Sequence, residues 1–268
     1  MAPMSPRAVP RDRGTGGRGA VTELYDRIGG GYARRRREDG RIAGRLREAL
    51  GPAGPLLNVG AGAGAYEPRD RPVVAVEPSA TMLAQRAPGA APAVRARAEA
   101  LPFRDGAFEA VLAVLTVHHW QDRARGLTEC ARVAHGRVVC LTWDPESAGF
   151  WLVSDYFPEV LARDRRAFPT MAELRAALGP LDARPLPVPA DCADGFLGAY
   201  WARPAAYLDP EVRAGISAFA GVADADPRLA RLADDLATGR WARRHAALAG
   251  LTELDVGYRL VTAAGGAW

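Results

Sequence analysis

Leu56-Leu57-Asn58-Val59-Gly60-Ala61-Gly62-Ala63-Gly64-Ala65-Tyr66-Glu67 is the stretch on which the reading of this chain turns. A short apolar run meets glycines at alternate positions, Gly60, Gly62 and Gly64. Such a run reads as a buried parallel strand, over Leu56 to Val59. The glycines let the backbone turn sharply and come close to a ligand.

Working outward, Val21 to Leu50 reads as two helical pieces broken at Gly29-Gly30-Gly31. In the second, Ile42, Leu46 and Leu50 recur at four-residue spacing as a core-facing stripe, and Gly51-Pro52 stops it. Val73 to Val76 is strand two, closed by Glu77-Pro78, and Ser79 can cap a short helix through Arg86. A third strand is placed at Ala93 to Arg97. The fourth, Phe108 to Val114, is nearly continuous in apolar residues, as when both faces of a parallel sheet are covered. Asp122 caps a helix with Leu127, Ala131 and Ala134 on one face, ended by Gly136. Arg137 to Trp143 is strand five.

This alternation predicts an α/β fold with a doubly wound, Rossmann-like sheet that is mostly parallel and binds ligands at the carboxyl ends of its strands. Beyond it, Phe150 to Leu178 reads as helical, Ala183 to Val188 as a sixth strand and Asp194 to Gly250 as several helices. Thr252 to Thr262 reads as a last, antiparallel strand. The predicted organisation is a disordered tail (1–20), an N-terminal helical cap (21–50), a core (51–190), a helical insertion over the substrate site (191–250) and the final strand of the core (251–268).

The chain's 268 residues are ample for one sizeable core. No apolar stretch is long enough to span a bilayer, and the Pro-, Arg- and Gly-rich start has no apolar centre like that of a secretory signal. Every basic residue is arginine, and the formal charge is +4. That surplus lies in the tail and in Arg34 to Arg37, and acids interleave with arginines elsewhere, as in Arg231 to Asp235. A nucleic-acid partner is therefore disfavoured. Cys130, Cys140 and Cys192 are too few and scattered for a disulfide framework or zinc site, which fits reduced thiols in a cytoplasm, and no metal is expected.

Glycines after a first strand can serve a dinucleotide or another adenosyl ligand. A pyrophosphate needs the free N–H groups and dipole of a helix that begins at the glycines. Only eight residues separate Gly64 from Val73, and two are Pro68 and Pro72. Proline inside a helix costs roughly 3 kcal/mol, so at most one turn can form. A ligand without phosphates tolerates this better. Glu77, at the end of strand two, can accept hydrogen bonds from both hydroxyls of a ribose.

Asn58-Val-Gly-Ala-Gly-Ala-Gly, Val-Ala-Val-Glu77-Pro-Ser, Ala98-Glu-Ala-Leu-Pro-Phe-Arg-Asp-Gly-Ala-Phe and Val117-His-His-Trp-Gln-Asp stand in order, with Glu129 and Arg132 downstream. Together they resemble the class I S-adenosylmethionine-dependent methyltransferases, nearest the type 11 methyltransferase-domain group, over residues 21 to 145. The resemblance implies a site for S-adenosylmethionine, with S-adenosylhomocysteine as product. Gly60, Ala61, Gly62 and Gly64 would pass under the methionine part. Glu77, followed by Pro78, would hold the ribose. Ala98 and Glu99 would flank the adenine, and Val114 and Leu115 would line the methionine side. Tyr32 with Arg36 or Arg37 resembles the pair that reaches the cofactor's carboxylate. Asn58 stands where an acid is common in the family, and Arg97 where aspartate is.

Methyl transfer from a sulfonium is an in-line displacement to which the enzyme contributes mainly positioning and exclusion of water. His118 and His119, just past strand four, are candidate bases, or they cap a helix or contact the cofactor. Trp120, Trp143, Trp151, Tyr156, Tyr200 and Trp201 are candidates to wall a pocket for a flat or apolar acceptor, although aromatics also serve as simple core. Asp155, Asp191 and Asp194 are further candidates for polar contacts. The resulting expectation is a cytoplasmic enzyme, monomer or homodimer, that methylates a small molecule at oxygen. The rivals are an RNA methyltransferase and a non-catalytic S-adenosylmethionine-binding protein.

Overall fold

The computed structural model describes residues 36–220, 222–224 and 226–266. The expected tail and the first helical piece lie outside the described residues, as does Tyr32. Helix α1 (Gly40–Leu50) starts at Asp39, whose carboxylate accepts the Arg41 N–H at 3.0 Å. The same carboxylate takes Arg41 Nη2 at 2.8 Å and the Ala193 N–H at 3.0 Å. The Arg41 guanidinium beside it holds the Asp39 carboxyl well below the usual carboxylate range, against the opposing pull of burial. Ile42, Leu46 and Leu50 are all buried, as their spacing requires.

Strands β1 (Leu56–Val59) and β2 (Val73–Val76) occupy the expected residues. Helix α2 (Ala80–Ala84) is capped by Ser79 and stops short of Arg86. The third strand, β3, shrinks to Ala93–Val94. Strand β4 (Phe108–Val114) is followed by α3 (Arg123–Val133), capped by Asp122, which runs directly into β5 (Ala134–Trp143). Gly136, the expected helix terminator, lies inside β5 instead. A Cβ there would stand 2.4 Å from the Glu109 carbonyl oxygen. The glycine serves the close approach of β5 to the irregular start of β4.

The expected helical stretch from Phe150 is a π-turn over Leu152–Tyr156, then α4 (Pro158–Ala167) and α5 (Met171–Leu178). Phe168-Pro169 breaks it, and the Thr170–Glu173 capping box restarts it. Strand β6 is Leu181–Pro185, earlier than expected. Strand β7 (Val188–Pro189) leaves the main sheet to pair with β8 (Glu253–Leu254). Between them lie 3₁₀ turns and α6 (Pro210–Ala214), α7 (Pro227–Ala237) and α8 (Arg240–Arg244). The expected last strand is split. Asp255 Oδ1 accepts the Gly257 N–H at 2.9 Å, Gly257 sits at φ +101°, and β9 begins only at Tyr258–Ala264.

The main sheet runs β3-β2-β1-β4-β5-β9-β6. Its first five strands are parallel, and β9 lies antiparallel between β5 and β6. Alternate side chains feed two cores. Leu56, Leu112, Val139 and Leu141 join α1 and the aromatic residues beyond β5. Leu57, Val111, Val138 and Cys140 join α3 and α5. All three cysteines are free thiols in buried positions. Burial pushes Cys140 and Cys192 up to about 12 and Cys130 well above its ordinary value. Among the described residues, no helix is long and apolar enough to cross a membrane.

Asp39→Ala removes a helix cap and two further contacts, and is expected to cost about 1–3 kcal/mol at neutral pH. Because the folded carboxyl titrates below the unfolded one, this contribution is complete above the unfolded pKa. It fades as pH falls toward the folded value. Urea unfolding of both proteins at pH 7 and pH 3 checks this; a stability gap that does not narrow in acid refutes it.

Candidate active site

The turn after β1 is closed against β2, with the Gly60 and Ala61 N–H groups donating to the Val76 carbonyl at 2.8 and 3.0 Å. Gly60 sits at φ +69°, and a Cβ there would lie 1.9 Å from Thr116 Oγ1, so only glycine fits. Residues 62–66 form turns rather than a helix, as Pro68 and Pro72 require. A carboxylate takes the place a helix N-terminus would have. Glu77, 7% exposed, accepts the Gly62 N–H on Oε2 and the Ser79 N–H on Oε1, each at 2.9 Å.

Around this turn lies a cavity of about 390 Å³. Asn58, Gly60, Ala61, Gly62 and Gly64 line one side, and Glu77 and Pro78 the end of β2. Ala98, Glu99, Val114 and Leu115 complete it, and Arg36 reaches it. Arg37 is exposed and does not line it. Two polar side chains are already engaged. Glu99 Oε1 accepts the Gln121 and Asp122 N–H groups at 2.7 and 3.2 Å, and Asn58 Nδ2 donates to Glu67 Oε1 at 3.1 Å. Glu67 is in turn gripped by Arg86 through both oxygens, at 2.9 and 2.8 Å. Glu129 and Arg132 on α3 pin the segment after Ala98: Glu129 accepts the Leu101 N–H at 2.9 Å, and Arg132 donates to the Leu101 and Phe103 carbonyls. A cradle of glycine and alanine, a fixed carboxylate and a slot beside a 3₁₀ turn suit an adenosyl ligand that carries no phosphate.

A second cavity, of about 580 Å³, lies beside the first. Arg36, Leu115 and His119 line both. Leu115 holds the left-handed conformation at φ +48°, a strained backbone of the kind found at functional sites. His118 is clamped between rings, stacked on Phe168 at 3.9 Å and tilted against His119 at 3.8 Å between centroids. Its Nδ1 is buried and has no hydrogen-bond partner among the described residues. Burial pushes His119 down to about 4 and His118 well below its ordinary value, helped by the charges of Arg36 and Arg163. Both imidazoles are therefore neutral at pH 7.

The aromatic candidates divide. Trp143 lines the second cavity, and Trp120 lines the first rather than the second. Trp151, Tyr156 and Trp201 line neither and are core residues whose polar atoms are satisfied internally. Trp151 Nε1 donates to the Trp201 carbonyl, Trp201 Nε1 to the Val188 carbonyl and the Tyr156 hydroxyl to Asp235, each at 2.8 Å. Tyr200 also lines neither and lies under Arg203. Among the acidic candidates, Asp155 and Asp191 line neither cavity. Asp194 has no exposed side-chain surface and accepts Arg36 Nε at 2.8 Å, Arg36 Nη2 at 3.2 Å and the Tyr66 hydroxyl at 3.0 Å. Sequence reasoning missed Thr116, Arg163, Asp164, Phe168 and Tyr258. Thr116 sits between Leu115 and the Val117-His-His stretch, while the other four belong to no motif and reach the site only through long-range packing.

A methyltransferase-domain family model matches residues 57–141. A putative methyltransferase from an antibiotic biosynthesis pathway of Anabaena variabilis is 32% identical over 84% of this chain and 97% of its own, with a TM-score of 0.77. The YcgJ protein of Bacillus subtilis, 15% identical, superposes over 86% of this chain and 100% of its own with a TM-score of 0.53. The 4+2 cyclase SpnF, 18% identical, does so over 93% and 95% with the same score, 0.53. These last two show the fold alone. No curated protein sequence matches the chain significantly.

Glu77→Ala removes a charge-assisted acceptor from the first cavity. It is expected to weaken S-adenosylhomocysteine binding by about tenfold or more in calorimetric titration. Unchanged affinity would remove Glu77 from the site.

Proposed function

The chain belongs to the S-adenosylmethionine-dependent methyltransferases, and on that premise we propose that it methylates oxygen on a small, largely apolar molecule in the cytoplasm. The observation that carries this reading is the juxtaposition of the two cavities. They meet at Arg36, Leu115 and His119, and the unpartnered Nδ1 of His118 is buried beside that junction. A volume of about 580 Å³ suits a small-molecule ligand. An RNA acceptor would need an open basic face, but the two arginines that line the second cavity among the described residues are paired with acids, Arg36 with Asp194 and Arg163 with Asp164.

S-adenosylmethionine, when bound, supplies a methyl group on a positively charged sulfur. Glu77 would receive the ribose hydroxyls, Ala98 and Glu99 would flank the adenine, and Val114 and Leu115 would bound the methionine side. The chain's own work is to orient the acceptor and exclude water. A hydroxyl that becomes a methyl ether must lose its proton, and the neutral imidazole of His118, which lines the second cavity, is the acceptor for it. A base weakened by burial does not ionise the hydroxyl in the resting complex. It takes the proton only once the oxygen has begun to give up its electron pair and the proton has turned acidic.

With an acceptor found by mass-spectrometric screening, His118→Ala is expected to lower kcat about a hundredfold while S-adenosylhomocysteine affinity is kept. A general base must be unprotonated, so the depressed pKa places the loss of activity at the acid side. Turnover that depends on His118 stays level through the ordinary imidazole range around pH 6.5 and falls only well below it. A limb near pH 6.5 lost in the variant would contradict the buried, neutral histidine. Full turnover without His118 would end its role as proton acceptor.

A further inference from the structure

Among the described residues, the second cavity has one carboxylate in its wall, Asp164. It stands on α4 one turn before Phe168, whose N–H donates to the Asp164 carbonyl at 2.9 Å. Residues four apart at this spacing share a face, and Phe168 carries His118 stacked on its ring. The cavity wall thus runs from His118 across Phe168 to Asp164, with a polar group at each end and an aromatic surface between.

Only half of the Asp164 carboxylate is used. Oδ1 accepts Arg163 Nε at 3.2 Å and Nη2 at 3.0 Å, while Oδ2 accepts from none of the described residues. The side chain is 16% exposed and Oδ2 is not among the buried polar atoms without partners, so that oxygen stays open to the cavity and can accept from a ligand that donates. Burial raises the Asp164 carboxyl above its ordinary value, against the pull of Arg163. Among the described residues, the charges that line the cavity are paired. Arg36 is neutralised by buried Asp194 and Arg163 by Asp164, and both imidazoles are neutral. An ammonium group would lie near two guanidiniums, and a carboxylate would face Asp164. A neutral molecule with a hydroxyl meets neither penalty.

We propose that Asp164 determines specificity, and that the cavity takes a neutral aromatic acceptor bearing a second hydroxyl, remote from the methylated one, which donates to Asp164 Oδ2. This rests on the reading of the second cavity as the acceptor site.

The test is calorimetric titration of the full chain, first with S-adenosylhomocysteine and then, on the loaded protein, with matched probes. These are 2-naphthol, naphthalene-2,6-diol, 6-hydroxy-2-naphthoate and 6-(aminomethyl)-2-naphthol. The diol is expected to bind about tenfold or more tighter than the mono-ol, and the two charged probes no tighter than the mono-ol. Asp164→Ala is expected to erase the difference between diol and mono-ol without changing S-adenosylhomocysteine affinity, which also verifies its fold. Asp164→Asn keeps an accepting oxygen and part of the preference. Arg163→Ala keeps the preference, which separates the accepting oxygen from the ion pair. Equal binding of diol and mono-ol, absence of binding by every probe, preference for a charged probe, or a preference that survives Asp164→Ala overturns the proposal. If S-adenosylhomocysteine binds normally in those cases, the cofactor site stands and only the assignment of Asp164 falls. If S-adenosylhomocysteine does not bind, the reading of the two cavities falls with it.

Discussion

Gly60 and Thr116 meet with no room between them for one more carbon atom. That contact joins the turn after β1 to the segment after β4 and brings two stretches distant in sequence to one point. The strained Leu115 and the histidine pair follow from it, since the chain must leave β4 directly over the glycines. The Glu77 carboxylate completes the arrangement by tying the Gly62 and Ser79 N–H groups to the end of β2. A parallel sheet lines up the carboxyl ends of its strands. Here that geometry is tightened until one methyl group on residue 60 would force the two loops apart.

A second set of ties joins the beginning of the described chain to its far half. Asp39 holds Arg41 and the Ala193 N–H, while Asp194 holds Arg36, the Gly195 N–H and the Tyr66 hydroxyl. Both carboxylates are buried and richly supplied with donors, the condition under which buried charge is tolerated. Tyr66 belongs to the glycine turn, and Phe196, two residues past Asp194, lines the second cavity. The walls of the two cavities are therefore linked through a few charged hydrogen bonds rather than through apolar packing alone.

The parts legible in the sequence are those that local chemistry specifies. Strands β1, β2 and β4 could be bounded to the residue because a buried parallel strand is a short apolar run between breakers. The lack of a helix after the glycines could be foreseen from two prolines. Other features depend on partners far along the chain. Arg36 and Arg37 are neighbours of one type, and only Asp194, 158 positions away, distinguishes the one that reaches the cavities. A tryptophan reads the same whether its ring faces a cavity or, like Trp151 and Trp201, a carbonyl in the core. The histidines were visible but their weakness as bases was not, since burial is a property of the fold. Asp164 had no signal at all, as it stands in an ordinary run of charged helix residues.

The placement of the three cysteines in a chain without lysine has a practical side. Thiols this buried are closed to alkylating reagents in the folded state, and no side-chain amine competes for label. Cys130 and Cys140 lie between sheet and helix, so their modification clocks the opening of the main core. Cys192 lies between Asp191 and Asp194, the partners of Arg41 and Arg36, so its modification clocks the release of those ties. The fold thus carries two intrinsic reporters, one inside the main core and one beside the charged ties.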